Sequence, residues 1–412
     1  KLNYKRTILV GFAFFLISAF WQAYDATIPV ILTNKFGMSQ SWSGVIMAID
    51  NILAVFMLPL FGALSDKCMG KYGKRTPFIT IGTIIAAIAL VGLSFVDNTQ
   101  LNNISDAAAI DDPVALEVIY DTQGEKELMT PEGKSFVLSD VFTKEEFMAI
   151  TTKVTNPTIL NSTEALAAIY DTVAEEQLFT DNGETLPLSD VILKEEFVDS
   201  LNEKIEAYSG ESYNNSDYVN YVAPARQAYA AEKTSENPLP LILFVALLLV
   251  ILISMATYRS PAVALMPDVT IKPLRSKANA IINLMGTAGG ILVLVLGLVF
   301  STSKVKNSLM SYNIFYVVVA GIMLTALAIF LLTVREKKWA AQMQEDSIRL
   351  GLEEKKEEVS TEKRNLTAGE KKSLILILCS IALWYFGYNA VTSKYSVYAG
   401  NVLQKDYNTT LL

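Results

Sequence analysis

Histidine is absent from the 412 residues, cysteine occurs twice, and charge is scarce. Without histidine there is no Ser-His-Asp triad, no Cys-His nucleophile pair and none of the usual zinc sites. Cys68 and Cys379 lie far from the one strongly polar segment, so no disulfide staples it. Charged residues make up only 18% of the chain, 51% is hydrophobic, and the mean hydropathy is +0.34. Soluble proteins run nearer to about 25% charged. No stripe of Lys and Arg interleaved with aromatics appears, which argues against a nucleic-acid partner. The charge that is present is unevenly placed. Residues 98–236 hold 27 Asp and Glu against 8 Lys and Arg, a net of −19, while the other 273 residues hold 15 against 26, a net of +11. An acidic polar insert interrupts a basic hydrophobic body.

Seven apolar segments stand out, at 7–32, 43–64, 77–96, 238–256 (helical as far as 266), 278–300, 314–334 and 374–399. Each approaches the ~20 residues that cross ~30 Å of hydrocarbon as a helix. The first is too long for a signal-peptide core and lacks a small-residue cleavage site, so it reads as a retained span. The Lys/Arg bias orients the chain. Lys1, Lys5 and Arg6, then Lys67, Lys71, Lys74 and Arg75, then Lys272, Arg275 and Lys277 fall on one side. Lys35, the insert, and the loop with Lys304 and Lys306 fall on the other. The expectation is a multi-pass cell-membrane protein with its N-terminus cytoplasmic and residues 98–236 extracytoplasmic. Residues 1–97 supply spans one to three, 237–334 spans four to six, 335–373 a charged, solvated cytoplasmic linker, and 374–412 span seven.

The insert contains an internal repeat. Residues 115–150 match 165–200 at 18 of 36 positions, including Ile-Tyr-Asp-Thr at 119–122 and 169–172 and Leu-Ser-Asp-Val at 138–141 and 188–191. A constant offset of 50 marks a duplicated folding unit. Each unit reads as a short helix, a turn centred on Gly133 or Gly183, and a second helix opened by a Ser-Asp pair. A spacer or lid without a ligand accounts for it; a sugar- or cation-handling role is the other reading.

The chemistry lies in polar residues within apolar spans. Asp25, preceded by Trp21, Gln22 and Tyr24, sits about 8 residues from the outer end of span one, and Asp50, backed by Asn51, about 7 from the outer start of span two. Antiparallel neighbours place the two carboxylates at similar depth. A charge in a span costs at least ~2.5 kcal/mol by insertion scales, so it usually faces a polar cavity. Two carboxylates close together share a proton near neutral pH; the alternative is that each caps a helix or snorkels to the surface. Arg259 lies in the inner half of span four, where Pro261 interrupts the helical ladder. Its guanidinium suits bidentate contacts to hydroxyls or a carboxylate, or else serves the inner interface. Asn279 and Asn283 with Gly286 and Gly290 form a small-and-polar stripe on span five, which also reads as tight helix packing. Trp384, Tyr388 and Asn389 sit mid-span in span seven, where rings and an amide grip sugars, an aromatic belt being the other reading.

The residues also carry a resemblance. Gly-Ala-Leu-Ser-Asp-Lys at 62–67 followed by Gly-Lys-Arg-Thr-Pro-Phe-Ile at 73–79 resembles the loop signature of the major facilitator superfamily. With 258–270, 277–286 and 384–391 the likeness narrows to the glycoside–pentoside–hexuronide:cation symporter group and the sucrose–proton symporters. It covers all seven spans and leaves out the insert. It implies a twelve-helix fold of two six-helix halves around a central site that opens to either face in turn. The chain departs from the pattern in three ways. It stops after span seven, which predicts a fragment; it has the outer insert; and Val263 stands where the sucrose carriers place an arginine, with Arg259 four residues earlier on the same helix face. The resemblance further implies that Gly62, Asp66, Lys67, Gly73, Lys74, Arg75 and Asp268 form an inner gate and that Asp25, Asp50 and Asn51 couple the cation. Trp21, Gln22, Tyr24, Arg259, Asn279, Asn283, Trp384, Tyr388 and Asn389 are the candidate substrate contacts.

The fold expected is an all-α membrane protein, a major-facilitator-type helical bundle comprising the first six-helix half plus span seven, with an inserted outer soluble repeat domain. The function expected is secondary active symport of a glycoside such as a di- or oligosaccharide, with a coupling ion, H+ or Na+, and no other cofactor. The partners are a small sugar and the lipid bilayer, the full-length protein being a monomer. A drug–proton antiporter of the same superfamily is one alternative, and a receptor sensing a ligand through the outer repeat is another. No nucleophile–base pair or metal cluster points to an enzyme.

Overall fold

Hydrocarbon offers no hydrogen-bond partner, so a chain this apolar pairs its backbone within helices. The computed structural model describes residues 2–108, 112–150, 163–175, 177–179, 185–208, 217–302, 309–352 and 367–401. Among them, seven helices are long and apolar enough to cross a membrane. They are α1 (Tyr4–Asn34), α2 (Gln40–Lys67), α3 (Thr76–Asn103), α4 (Leu239–Val269), α5 (Arg275–Phe300), α6 (Asn313–Thr333) and, after a shorter helix α7 (Glu336–Arg349), α8 (Ala368–Asn401). Asn3 and Ser39 start α1 and α2 as side-chain caps, accepting from the backbone N–H of Arg6 and Trp42.

The chain forms two compact units, Lys1–Asn103 with Thr234–Leu412, and Ile104–Lys233. In the first, α1 packs against α5 and α6, α3 against α4 and α6, and α2 against α4. Small residues let these backbones meet. A Cβ on Gly289 of α5 would stand 2.5 Å from the Phe15 carbonyl oxygen of α1, and one on Gly82 of α3 would stand 2.8 Å from the Ser254 carbonyl of α4. The apolar residues of α2 and α8 are largely exposed, Val55, Phe56 and Phe386 among them, as suits helices in contact with lipid rather than water. α4 runs unbroken through Pro261 and Pro267, so Pro261 does not break the helix as the sequence suggested. Each proline still costs the helix one ladder bond, since it has no N–H to give.

Lys35, read from the sequence as a loop charge, is fully buried. Its ammonium bonds both Asp97 carboxylate oxygens at 2.7 Å and the Met310 carbonyl at 2.7 Å, and lies 4.7 Å from the Tyr312 ring centre. All three ammonium donors are thus satisfied. Gln100 of α3 donates to the Lys35 carbonyl at 2.8 Å. The cluster fastens the end of α1 to α3 and to the segment leading into α6. The 335–373 stretch is likewise more than a solvated linker. Within it α7 packs on α4, with Glu336 and Ser347 buried and Trp339 against the core. Apart from Glu336, most of its charges (Lys337, Lys338, Glu345 and Arg349) are exposed, which is why its composition alone looked solvated.

The second unit shows the duplication in its elements and in several of its side-chain bonds. The helix Pro113–Gln123 leads into β1 (Glu127–Met129) and β2 (Ser135–Val137), then the helical turn Leu138–Val141 and the helix Lys144–Ala149. The second copy runs through the helix Thr163–Val173, β3 (Gln177–Phe179), β4 (Thr185–Pro187) and the turn Leu188–Val191 to the helix Lys194–Tyr208. Leu128 faces Phe136 in one hairpin and Leu178 faces Leu186 in the other. The Tyr120 hydroxyl donates to the Phe142 carbonyl and that of Tyr170 to the Ile192 carbonyl, both at 2.7 Å. Lys144 pairs with Asp121 and Lys194 with Asp171. Hydrogen bonds to Asp121 and Glu117 hold the Lys144 ammonium above the usual lysine range. What the sequence read as a turn is a hairpin. Three-residue strands are too short to show an alternating pattern. Gly133 sits at its tip with φ +85°, a left-handed conformation that favours glycine, whereas Gly183 lies outside the described residues.

Removing one partner of the buried pair leaves an uncompensated charge. Asp97→Ala is therefore expected to destabilise the protein by about 3–5 kcal/mol, read as a lower melting temperature in detergent. The double replacement Lys35→Met with Asp97→Leu is expected to recover most of that loss.

Candidate functional site

A cavity of about 740 Å³ opens within the helical unit. One face of α1 lines it with Phe14, Ile17, Ser18, Trp21, Gln22 and Asp25, at spacings of three and four residues. Asn283, Gly286, Thr287, Gly290, Ile291 and Leu294 line it from α5 with the same period. α2 contributes Asp50 and Asn51, α4 Arg259, and α8 Tyr385 and Tyr388. The volume is in the range of small-molecule sites, which are typically about 300–1,000 Å³.

Two carboxylates and one guanidinium share this space. Asp25 and Asp50 are close enough to interact through space, and Asp50 interacts likewise with Arg259. Arg259 is also placed by a ring, its guanidinium carbon lying 5.6 Å from the Trp21 ring centre. Trp21 and Tyr24 meet edge to face at 5.2 Å, which stiffens this wall. The Trp21 Nε1 and the Tyr24 hydroxyl are buried polar atoms with no hydrogen-bond partner among the described residues. A buried donor without a partner costs about 1–3 kcal/mol; the rings of Trp21 and Tyr24 line the cavity while these two atoms are shielded from solvent. Pro29, one turn on from Asp25, has no N–H to give to the Asp25 carbonyl, which concentrates acceptor character there. No group of three or more His, Cys, Asp or Glu side chains among the described residues could hold a metal ion.

A second polar cluster joins the ends of α2, α3, α4 and α7. Arg75, 5% exposed at the start of α3, donates from Nε to Asp268 of α4 at 2.8 Å and from a terminal nitrogen to Ser65 Oγ at 2.5 Å. Its other terminal nitrogen pairs with Asp66 of α2, and the Gly62 carbonyl lies 3.5 Å from the first. Glu336, at the first position of α7 and 3% exposed, accepts from the backbone N–H groups of Lys74, Arg75 and Thr76 at 2.6, 2.9 and 2.8 Å, and from the Thr76 hydroxyl at 2.7 Å. A carboxylate on the open N–H groups of a helix start is the favoured polarity. Gly73 holds φ +128°, and a Cβ there would overlap the Glu336 carboxylate.

The structure therefore brings Trp21, Gln22, Tyr24, Asp25, Asp50, Asn51, Arg259, Asn283 and Tyr388 to one cavity. It brings Gly62, Asp66, Gly73, Lys74, Arg75 and Asp268 to the other cluster. Asn279 is exposed and does not line the cavity, because it lies one turn before Asn283 toward the start of α5. Trp384 stacks on Tyr388 at 5.6 Å and leaves the lining position to Tyr385. Lys67 is exposed and takes no part in the Arg75 network among the described residues. The Asn389 side chain lies outside the described residues. Sequence reasoning missed Tyr385, Thr287 and Glu336. Tyr385 lay within the aromatic run already singled out, whereas Glu336 sits in a charged stretch with nothing to mark it.

Glu336→Ala removes the acceptor of four donors, so a loss of roughly 2–4 kcal/mol is expected from the cost of unmade buried bonds. Glu336→Gln should retain part of it. Gly73→Ala should match or exceed the alanine loss, since it displaces the same carboxylate and strains φ. Thermal unfolding of the three variants in detergent checks the order, and an unchanged Glu336→Ala would refute the capping role.

The MFS_1 like family matches residues 8–412. The sucrose transport protein SUC4 of Arabidopsis thaliana is 35% identical over 58 residues, 14% of this chain and 11% of the relative. Sucrose transport protein SUC3 of the same plant is 37% identical over 67 residues, 16% of this chain and 11% of the relative. Proton-associated sugar transporter A of Homo sapiens is 37% identical over 70 residues, 17% and 9% of the two chains. The alignments thus span about a tenth of each relative's length. No solved structure matches the chain. The match over nearly every residue, on a bundle of membrane-length helices around a polar cavity, makes this chain a member of the MFS_1 like family of the major facilitator superfamily.

Proposed function

We propose that the complete protein is a secondary carrier that moves a glycoside, of di- or oligosaccharide size, together with a proton by alternating access. The observation that carries this reading is the cavity that Asp25, Asp50 and Arg259 share with Trp21, Gln22, Asn51 and Asn283. The relatives named for sucrose transport and for proton-associated sugar transport support it.

A sugar presents hydroxyls that both donate and accept, on a ring with apolar C–H faces. Asn51, Gln22, Asn283 and Thr287 supply donors and acceptors, and Trp21, Tyr385 and Tyr388 supply rings for stacking. Arg259 fixes hydroxyls through its planar fork. The carboxylate pair holds the coupled proton. With one proton bound, the remaining negative charge is balanced by Arg259, and a neutral sugar completes a loaded site without net charge. The Arg75 cluster, on the cytoplasmic side in this reading, ties α2 and α4 together at one end of the cavity. It acts on which face is open rather than on the substrate. Residues 98–236 face outward in the same topology.

Two experiments test this. In the complete protein Asp50→Asn mimics the protonated side chain permanently. It should keep sugar exchange across the membrane and lose accumulation driven by an acid-outside pH gradient. Parental accumulation in that variant would remove Asp50 from coupling, and uptake set by sodium instead of pH would reassign the ion. For topology, in a background with Cys68 and Cys379 replaced by Ser, a cysteine at Glu132 should react with an impermeant reagent on intact cells. A cysteine at Tyr72, which is 71% exposed, should react only after permeabilisation. The opposite pattern would invert the orientation.

A further inference from the structure

α1 is least restrained by its own backbone where its chemistry sits. Pro29 has no N–H, so the Asp25 carbonyl lacks the ladder bond that would close this turn. Thr27, within the same turn, sends its hydroxyl proton back to the Ala23 carbonyl at 2.7 Å, a bond of a kind that bends helices rather than stiffening them. The turn that carries a candidate coupling carboxylate therefore depends on its neighbours.

α6 supplies a restraint from outside. Tyr316 is fully buried, and its hydroxyl lies 2.7 Å from Thr27 Oγ1. A threonine hydroxyl has one proton, and that of Thr27 is engaged by Ala23, so Tyr316 is the donor. Thr27 and Asp25 are two residues apart, which is about 200° around a helix. α6 thus grips the back of the turn while Asp25 lines the cavity from its front. The rotation of that turn sets Asp25 against Asp50 of α2, and Asp50 in turn interacts with Arg259 of α4. The other titratable groups about this turn are Tyr24 beside Asp25, Tyr385 and Tyr388 of α8, Tyr312 ahead of α6, and Asp97 of α3, which is paired with Lys35. The α5 residues on the cavity add none.

We propose that Tyr316 is a positioning residue for proton coupling, holding the α1 turn through Thr27 in the rotation that keeps the Asp25 carboxylate opposite Asp50. This rests on the carrier reading above and deepens it. The Tyr316 hydroxyl touches neither sugar nor the coupled proton. Its loss leaves the cavity lining in place, so sugar still binds and crosses. The carboxylate pair then no longer takes up and releases its proton in step with the sugar. A bond that served packing alone would weaken both processes together.

The test uses the complete protein in proteoliposomes with sucrose as the probe, comparing exchange at equal pH with accumulation driven by an acid-outside pH gradient. Tyr316→Phe and Thr27→Val should each lose roughly tenfold or more of accumulation while exchange stays within about twofold of the parent, since misplacing a reacting group by about 1 Å costs up to about 10²-fold. Thr27→Ser keeps the accepting hydroxyl and should accumulate as the parent does. Thr33→Val removes a buried α1 hydroxyl that bonds back to the Pro29 carbonyl, and it too should leave accumulation unchanged. The double variant Tyr316→Phe with Thr27→Val should be no worse than either single one, because both break the same bond. Parental accumulation in Tyr316→Phe, or exchange and accumulation falling together, overturns the positioning role and leaves the carrier reading intact. If Tyr316→Phe does not fold, the Thr27 variants decide: Val without loss, or Ser as impaired as Val, overturns it equally. Asp25→Asn should show the same split, and parental accumulation in that variant removes Asp25 from coupling and this inference with it. A parent that does not concentrate sucrose on the pH gradient refutes the proton-carrier reading itself, and the inference falls with it.

Discussion

Charge has nowhere to hide in hydrocarbon. A titratable side chain inside a membrane-length helix must face a polar cavity or find a partner of opposite charge, since the bilayer interior solvates neither. The helical unit uses both solutions. Lys35 and Asp97 neutralise one another in a dry cluster that satisfies every ammonium donor, and that pair serves architecture. Asp25, Asp50 and Arg259 instead share an open cavity, where their charges are available to a guest. Buried charges thus sit in two different settings, and the difference is whether space adjoins them.

Close helix approach makes the cavity possible. Where Gly289 meets Phe15 and Gly82 meets Ser254, the backbones come together with no side chain between them. Beside that tight contact on one face of α5, the adjoining face of the same helix carries Asn283, Thr287 and Gly290 toward open volume. The polar stripe first read as a choice between packing and ligand contact divides in the structure: Gly286 closes on α1, Asn283 and Gly290 line the cavity, and Asn279 does not. One residue of angular offset, about 100° around a helix of 3.6 residues per turn, separates the two roles.

The Arg75 cluster shows a different economy. One guanidinium reaches carboxylates on two helices, and one carboxylate, Glu336, holds the N–H groups at the start of a third. Four helix ends therefore meet around two side chains of opposite sign. Such an arrangement is stiff while intact and is lost as a unit, because each member also orients the others. That is the property a two-state element needs.

Much of the fold was legible in the chain. Apolar runs of membrane length fix where helices must be, since backbone pairing in lipid leaves no other choice, and seven runs correspond to the seven membrane-length helices. The polar outliers Asp25, Asp50 and Arg259 announced themselves for the same reason, and a 50-residue offset announced the repeat. The rest depended on which face of each helix turned where. Composition made Lys35 a loop charge and 335–373 a solvated linker, because a one-dimensional count cannot tell a buried charge with a distant partner from an exposed one. Only the tertiary structure brought Asp97 to Lys35 and Glu336 to the start of α3, across 62 and more than 250 residues of chain. Only it put Tyr385 rather than Trp384 in the cavity wall, and Gly290 rather than Gly289 beside open space. Helix formation is a local consequence of hydrogen bonding in a solvent without partners, so the sequence determined it. Rotation and pairing of helices are set by non-local packing, and those decided the site.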